Sequence, residues 1–137
     1  MKLYIDCEFN GFGGELISMA LVSESGHEWY EVLPCEQPVD WVAEHVMPIL
    51  NKEALQRRED LVESLGLFLS QFDRVHIVAD WPEDIAYFCN SLILSAGLRI
   101  NTPPITLEIL RIDGAESLVP HNALHDARSI KEFLNGE

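Results

Sequence analysis

The stretch Lys2-Leu3-Tyr4-Ile5-Asp6-Cys7-Glu8-Phe9 constrains the fold more than any other part of the chain. It alternates with a period of two. In an extended strand Leu3, Ile5, Cys7 and Phe9 point one way, and Lys2, Tyr4, Asp6 and Glu8 the other. A strand this apolar is expected at the centre of a sheet, with both faces covered. Asp6 and Glu8 then stand about 7 Å apart on a covered face, where isolated charges are costly unless paired or bound to metal. The simpler alternative is an edge strand whose two acids face water. This stretch alone leaves both readings open.

The remaining pattern supplies partners for such a strand. Asn10-Gly11-Phe12-Gly13-Gly14 is a turn rich in residues that accept positive φ. Strands are expected over 16–22 and 28–33, joined through Ser23-Glu24-Ser25-Gly26, which makes an antiparallel meander. A helix follows over 41–50, with Asp40 as its cap and Val42, Val46, Ile49 and Leu50 inward. A second helix over 59–72 shows the clearest periodicity, through Leu61, Val62, Leu65, Phe68, Leu69 and Phe72. Residues 75–79 read as a strand. Pro82 suits the first turn of a helix that carries Ile85, Phe88, Cys89 and Leu92 and stops near Gly97. A fifth strand lies within 105–112. The last helix starts at Asn122 or Ala123 and runs to Leu134, with Gly136 after its end.

Three antiparallel strands followed by alternating helices and strands describe an α/β fold, a mixed five-stranded sheet flanked by helices. The chain has 137 residues, 47% of them hydrophobic, and shows no repeat or linker, so residues 1–137 are expected to form a single domain. No apolar run is long enough to span a bilayer, and no basic segment with an apolar stretch precedes the first strand. The three cysteines, Cys7, Cys35 and Cys89, fit neither a disulfide framework nor a zinc pattern. Buried free thiols in a reducing cytoplasm are the expectation. A net charge of −14 argues against a protein that grips long duplexes by their phosphates. It leaves room for a nucleic-acid enzyme whose positive charge comes from bound cations.

Two further places carry concentrated chemistry: Asp80-Trp81-Pro82-Glu83-Asp84 at a strand-to-helix junction, and His121-Asn122-Ala123-Leu124-His125-Asp126 opening the last helix. Each has a structural reading. Asp80 can cap its helix and Asp84 can favour the helix's positive end. His121 can be a loop residue and Asp126 an ordinary first-turn acid.

The order of these pieces resembles one superfamily: the 3′–5′ exonucleases with four acidic residues and a histidine, often called DEDDh. Ribonuclease T, oligoribonuclease and the proofreading exonuclease of bacterial DNA polymerase belong to it. The resemblance runs from Asp6 to Asp126, and its most specific piece is His121-Asn122-Ala123-Leu124-His125-Asp126-Ala127. Asp6-Cys7-Glu8-Phe9 followed by Leu16-Ile17-Ser18 looks most like small stand-alone bacterial 3′–5′ exoribonucleases.

The resemblance implies a ribonuclease H-like fold and hydrolysis of single-stranded RNA from its 3′ end to nucleoside 5′-monophosphates. Two Mg²⁺ or Mn²⁺ ions are implied, held by Asp6, Glu8, Asp84 and Asp126, with His121 as the residue that activates water. Asp80 is auxiliary or an alternative to Asp84, because relatives carry Asn at its place. Single-stranded DNA or short oligonucleotides are the nearest alternative substrates, and an inactive metal-binding interaction module of the same fold is the alternative of a different class. Relatives are often homodimers.

The chemistry suits these residue types. Two divalent ions stabilise the attacking and leaving oxygens of an in-line displacement, and Mg²⁺ and Mn²⁺ prefer the oxygen ligands that carboxylates supply. By the same resemblance Phe9, Asn10 and Phe12 lie where relatives hold the terminal nucleotide, and an aromatic face can stack on any base. Core packing for Phe9 and turn chemistry for Asn10 are equally open. Trp81 can stack on substrate or pack on the sheet. His125 reads as a surface or supporting residue, and His76 has no evident partner.

Overall fold

The computed structural model describes residues 1–136. Its elements are β1 (Lys2–Phe9), β2 (Leu16–Ser23), β3 (Glu28–Val32), α1 (Asp40–His45), α2 (Arg58–Leu69), β4 (Val75–Ala79), α3 (Pro82–Asn90), β5 (Ile93–Ser95), β6 (Leu98–Arg99), β7 (Ile105–Ile109) and α4 (Ala123–Asn135). The main sheet has the order β3-β2-β1-β4-β7, so β1 is the central strand. It pairs antiparallel with β2 and parallel with β4, and β4 pairs parallel with β7. Beside this five-stranded mixed sheet, β5 and β6 form a separate hairpin.

The alternation of β1 sets the layers. Leu3, Ile5 and Cys7 join Met19, Leu21 and Ile77 in a core covered by Leu61, Leu65, Phe68 and Leu69 of α2 and by Phe88 of α3. On the other face Tyr4 and Val78 pack against Ile130 of α4, and Ala20 and Val22 against Ala123 and Ala127. Both faces of β1 are therefore covered, and Asp6 and Glu8 leave it on the α4 side. Because β1, β4 and β7 run parallel, their C-terminal ends share one edge of the sheet, where open α/β folds place their ligands.

Several boundaries depart from the sequence expectation, each for a local reason. The helix expected over 41–50 stops at His45, and Met47–Ile49 form a 3₁₀ turn in which Pro48 cannot donate an α-helical N–H. Val39, not Asp40, is its cap. The α2 helix runs from Arg58 rather than Glu59 and ends at Leu69 rather than Phe72.

The α3 helix ends at Asn90 instead of continuing towards Gly97. Ser91 Oγ donates to Tyr87 O at 2.8 Å, and the Arg58 guanidinium takes up the freed carbonyls of Asn90 and Ile93 at 2.6 and 2.8 Å. Gly97, with φ +72°, turns the β5–β6 hairpin rather than closing a helix. Of the basic pair, Arg58 thus finishes α3, while Arg57 pairs with Asp60. All three cysteines are free, and only Cys7 is fully buried. Among the described residues no helix is long and apolar enough to cross a membrane.

Candidate metal centre

Asp6 and Glu8 stand near the C-terminal end of β1, where the ladder to β2 slips register between Glu8 and Phe9. A register slip of this kind re-aims side chains at the end of a strand. Asp126 comes from the first turn of α4. That helix lies close to the sheet because Ala20, Ala123 and Ala127, all fully buried, form the seam between them. One carboxylate oxygen each from Asp6, Glu8 and Asp126 lies within 4.8 Å of the others.

A second group forms on the other side of Asp6. Asp80 follows β4 directly, and Asp84 sits in the first turn of α3 behind Pro82. Oxygens of Asp6, Asp80 and Asp84 also lie within 4.8 Å of one another. Asp6 belongs to both groups. Asp84 is only 1% exposed. Its Oδ2, and Oδ2 of Asp6, are buried without a hydrogen-bond partner among the described residues. An orphaned buried carboxylate oxygen costs about 1–3 kcal/mol, more when charged, and a bound cation would remove that cost for both acids. The donor set is all oxygen, which fits Mg²⁺ or Mn²⁺.

The titration behaviour follows from the crowding. Burial, then the charges of Asp126 and Asp84, pushes Glu8 up to about 8. Burial and the neighbouring Asp80 push Asp84 up to about 8. Asp6 is raised well above the carboxylate range by burial and then by Asp84, Glu8, Asp126 and Asp80. Burial also raises Asp80 and Asp126.

His121 stands beside this cluster in a left-handed conformation, φ +72°, which is rare for a residue with a side chain and recurs at functional sites. Its backbone N–H donates to Asp126 Oδ2 at 3.1 Å. Its ring meets Trp41 edge-on at 4.8 Å between centroids and His45 at 6.1 Å. Trp41 and His45 belong to no motif that marks them for the site. Their i, i+4 spacing on a short helix with an exposed face was the only signal.

Two asparagines fix that helix over the acids. At its start, Asn10 Nδ2 donates to Gln37 O at 3.0 Å, and Asn10 Oδ1 accepts from Val39 N at 2.8 Å. Beyond its end, the buried Asn122 caps α4 through His125 N and donates to Ile49 O at 2.8 Å. Asn10 is thus committed to holding α1. The turn that carries it needs Gly14, since a Cβ there would lie 1.9 Å from Asn10 O.

Two clefts flank the acids. One, of about 540 Å³, is bounded by Asp6, Asp80, His121, Asp126 and the loop from Ile112 to Pro120. The other, of about 460 Å³, is bounded by Glu8, Asp84, Phe9, Phe12, Trp41 and Trp81, again with Asp6 and Asp80. Phe12, Trp41 and Trp81 are 96%, 50% and 56% exposed, so three aromatic side chains present exposed surface at its rim. Phe9 instead stacks on Tyr87 at 4.8 Å and packs against the core, with one face left towards the cleft at most. Two further histidines, His125 and His76, lie in supporting positions. His125 gives its N–H to the α4 cap. His76 has Thr106 and Glu108 as partners across β4 and β7.

Fold and site together define a class: an α/β protein in which five carboxylates converge at the C-terminal edge of a mixed sheet, with a histidine and exposed aromatics beside them. No protein-family model matches the chain, and no curated protein matches it.

Proposed function

We propose that this chain is a metal-dependent 3′–5′ exonuclease of ribonuclease H-like fold that hydrolyses single-stranded RNA to nucleoside 5′-monophosphates. The observation that carries the reading is the pair of carboxylate groups sharing Asp6, with the buried oxygens of Asp6 and Asp84 lacking any partner among the described residues. Asp6, Glu8 and Asp126 would hold one divalent cation, and Asp6 and Asp84 would contribute to a second. When bound, such ions offset the charge that builds on the attacking, leaving and non-bridging oxygens of the phosphodiester.

The chain's own residues do the rest. His121 accepts a proton from the attacking water, within the usual range of general-base catalysis. The backbone bond from His121 to Asp126 holds base and ligand in register. Phe12, Trp41 and Trp81 offer faces on which terminal bases stack without reading sequence. Asn10 and Asn122 keep Trp41 over the acids.

The choice of RNA over DNA comes from the resemblance of the motifs at Asp6-to-Phe9 and His121-to-Ala127. Among the described residues no Lys or Arg borders either cleft. That favours short single strands held by their terminal nucleotides over duplexes held by their phosphates.

Incubation of 5′-labelled single-stranded RNA and DNA with Mg²⁺, Mn²⁺ or EDTA tests the proposal. A ladder shortening from the 3′ end with either metal, faster on RNA and abolished by EDTA, is expected. Intact substrate under every metal condition would sink the enzymatic reading and leave the metal-binding module in its place.

A further inference from the structure

We propose that Asp80 is itself a cation ligand, so that Asp6, Asp80 and Asp84 form a second metal position that fills in the absence of nucleic acid. The inference rests on the metal-dependent reading of the site. An oxygen of Asp80 lies within 4.8 Å of oxygens from both Asp6 and Asp84. Asp84 Oδ2 is buried and unpartnered among the described residues, in a residue 1% exposed, so this position contains a carboxylate oxygen that no donor of the fold satisfies.

The competing use of Asp80, as a helix cap, is absent. The cap of α3 is Trp81, no side-chain capping bond forms there among the described residues, and Pro82 removes one of the helix's N-terminal N–H groups altogether. Asp80 and Asp6 also border both clefts, and Asp6 is common to the two groups of carboxylate oxygens.

Three carboxylates in one position change what the cation needs. Mg²⁺ bound through only one or two carboxylates depends on substrate phosphates for further ligands. A third carboxylate from the chain makes the position less dependent on substrate. Both ions then precede the nucleic acid, and Asp80 and Asp84 act together rather than as alternatives.

Titration of the full chain with Mn²⁺, without oligonucleotide, is the test, followed by calorimetry and by electron paramagnetic resonance. Wild type should bind two ions per chain and show the signal of a spin-coupled pair. Asp80→Asn, with unchanged circular dichroism, should bind one ion normally, weaken the second by at least about tenfold, and lose the coupled signal. Asp80→Ser serves the same purpose if the amide variant does not fold.

One ion per chain in the wild type would overturn the proposal. So would two ions bound with unchanged affinity by a folded Asp80 variant. The exonuclease reading fails separately: two bound ions with every oligonucleotide left intact would keep this inference and remove that one. A cleaving enzyme that takes its second ion only with substrate would do the reverse.

Discussion

Glu8 and Asp84 are each pushed to about 8 by burial and by neighbouring carboxylates, whereas in an unfolded chain such groups titrate near 4. Between roughly pH 4 and 8 the folded state therefore holds protons that the unfolded state has lost. The stability these two groups contribute in the metal-free protein is fully present below about pH 4, falls as pH rises through this window, and is lost above about 8. Denaturant midpoints of EDTA-treated protein at pH 5, 7 and 9 should decline in that order, and a flat profile would mean that the acids are not held apart from water. Glu8→Gln should raise the metal-free melting temperature by removing one of the repelling groups. Mg²⁺ should then raise the melting temperature of wild type more than that of Asp6→Ala, Glu8→Ala or Asp126→Ala, and all three variants should lose hydrolysis. His121→Ala should differ from them: turnover lowered roughly 10²–10⁴-fold with Mn²⁺ binding retained. Wild-type turnover in that variant would leave His121 only its backbone bond to Asp126.

At the scale of elements, the site depends on how closely α4 and α1 approach the sheet. The seam of Ala20, Ala123 and Ala127 is fully buried. Ala127→Leu should cost about 1–3 kcal/mol by overpacking and should lower Mn²⁺ affinity, because lifting α4 carries Asp126 away from Asp6 and Glu8. Unchanged metal affinity in a destabilised variant would show that the helix tolerates the displacement. Asn122 joins α4 to the turn after α1. Asn122→Ala should lose about 1 kcal/mol for the cap and about 1–3 kcal/mol for the carbonyl of Ile49 left without its donor, read as a drop in the denaturant midpoint. These contacts explain why α4 was legible from its apolar period and its closing Gly136 while its tie to α1 was not. Asn122 reads as a helix start in sequence. That its amide also reaches Ile49, 73 positions back, is a property of packing.

Over the whole molecule the charge is −14, and the cations lie away from the clefts or are engaged within the fold, as Arg58 is with α3 and Arg128 with Glu28. A protein that grips six to ten phosphates loses about 10³–10⁵ in affinity between 50 and 200 mM salt. Here the Michaelis constant for a short RNA, measured at fixed Mg²⁺ over that range, should change by less than about tenfold, since stacking and a few ligated oxygens dominate binding. A steep slope would point to a basic track that the clefts do not display.

Much of the architecture lies in local pattern. The period-two alternation of β1 fixed which residues face which layer, because a strand gives its side chains only two directions. It therefore put Asp6 and Glu8 on one face before any partner was known. The meander, the parallel strands and the apolar stripes of α2 and α4 follow from period and turn chemistry in the same way. Short-range competition was less legible: Pro48 cut α1, and Arg58, brought from α2, finished α3 early. Only the tertiary structure decided how Asp80 and Asp84 relate. In sequence they compete for one role, since a cap would occupy Asp80. In the fold Trp81 is the cap, and both acids reach Asp6. The same holds for Trp41, His45 and His121, brought together from separate elements. Local periodicity sets the face on which a side chain lies. The distance between faces is set by which helices pack against the sheet and by how small the residues are at their seams.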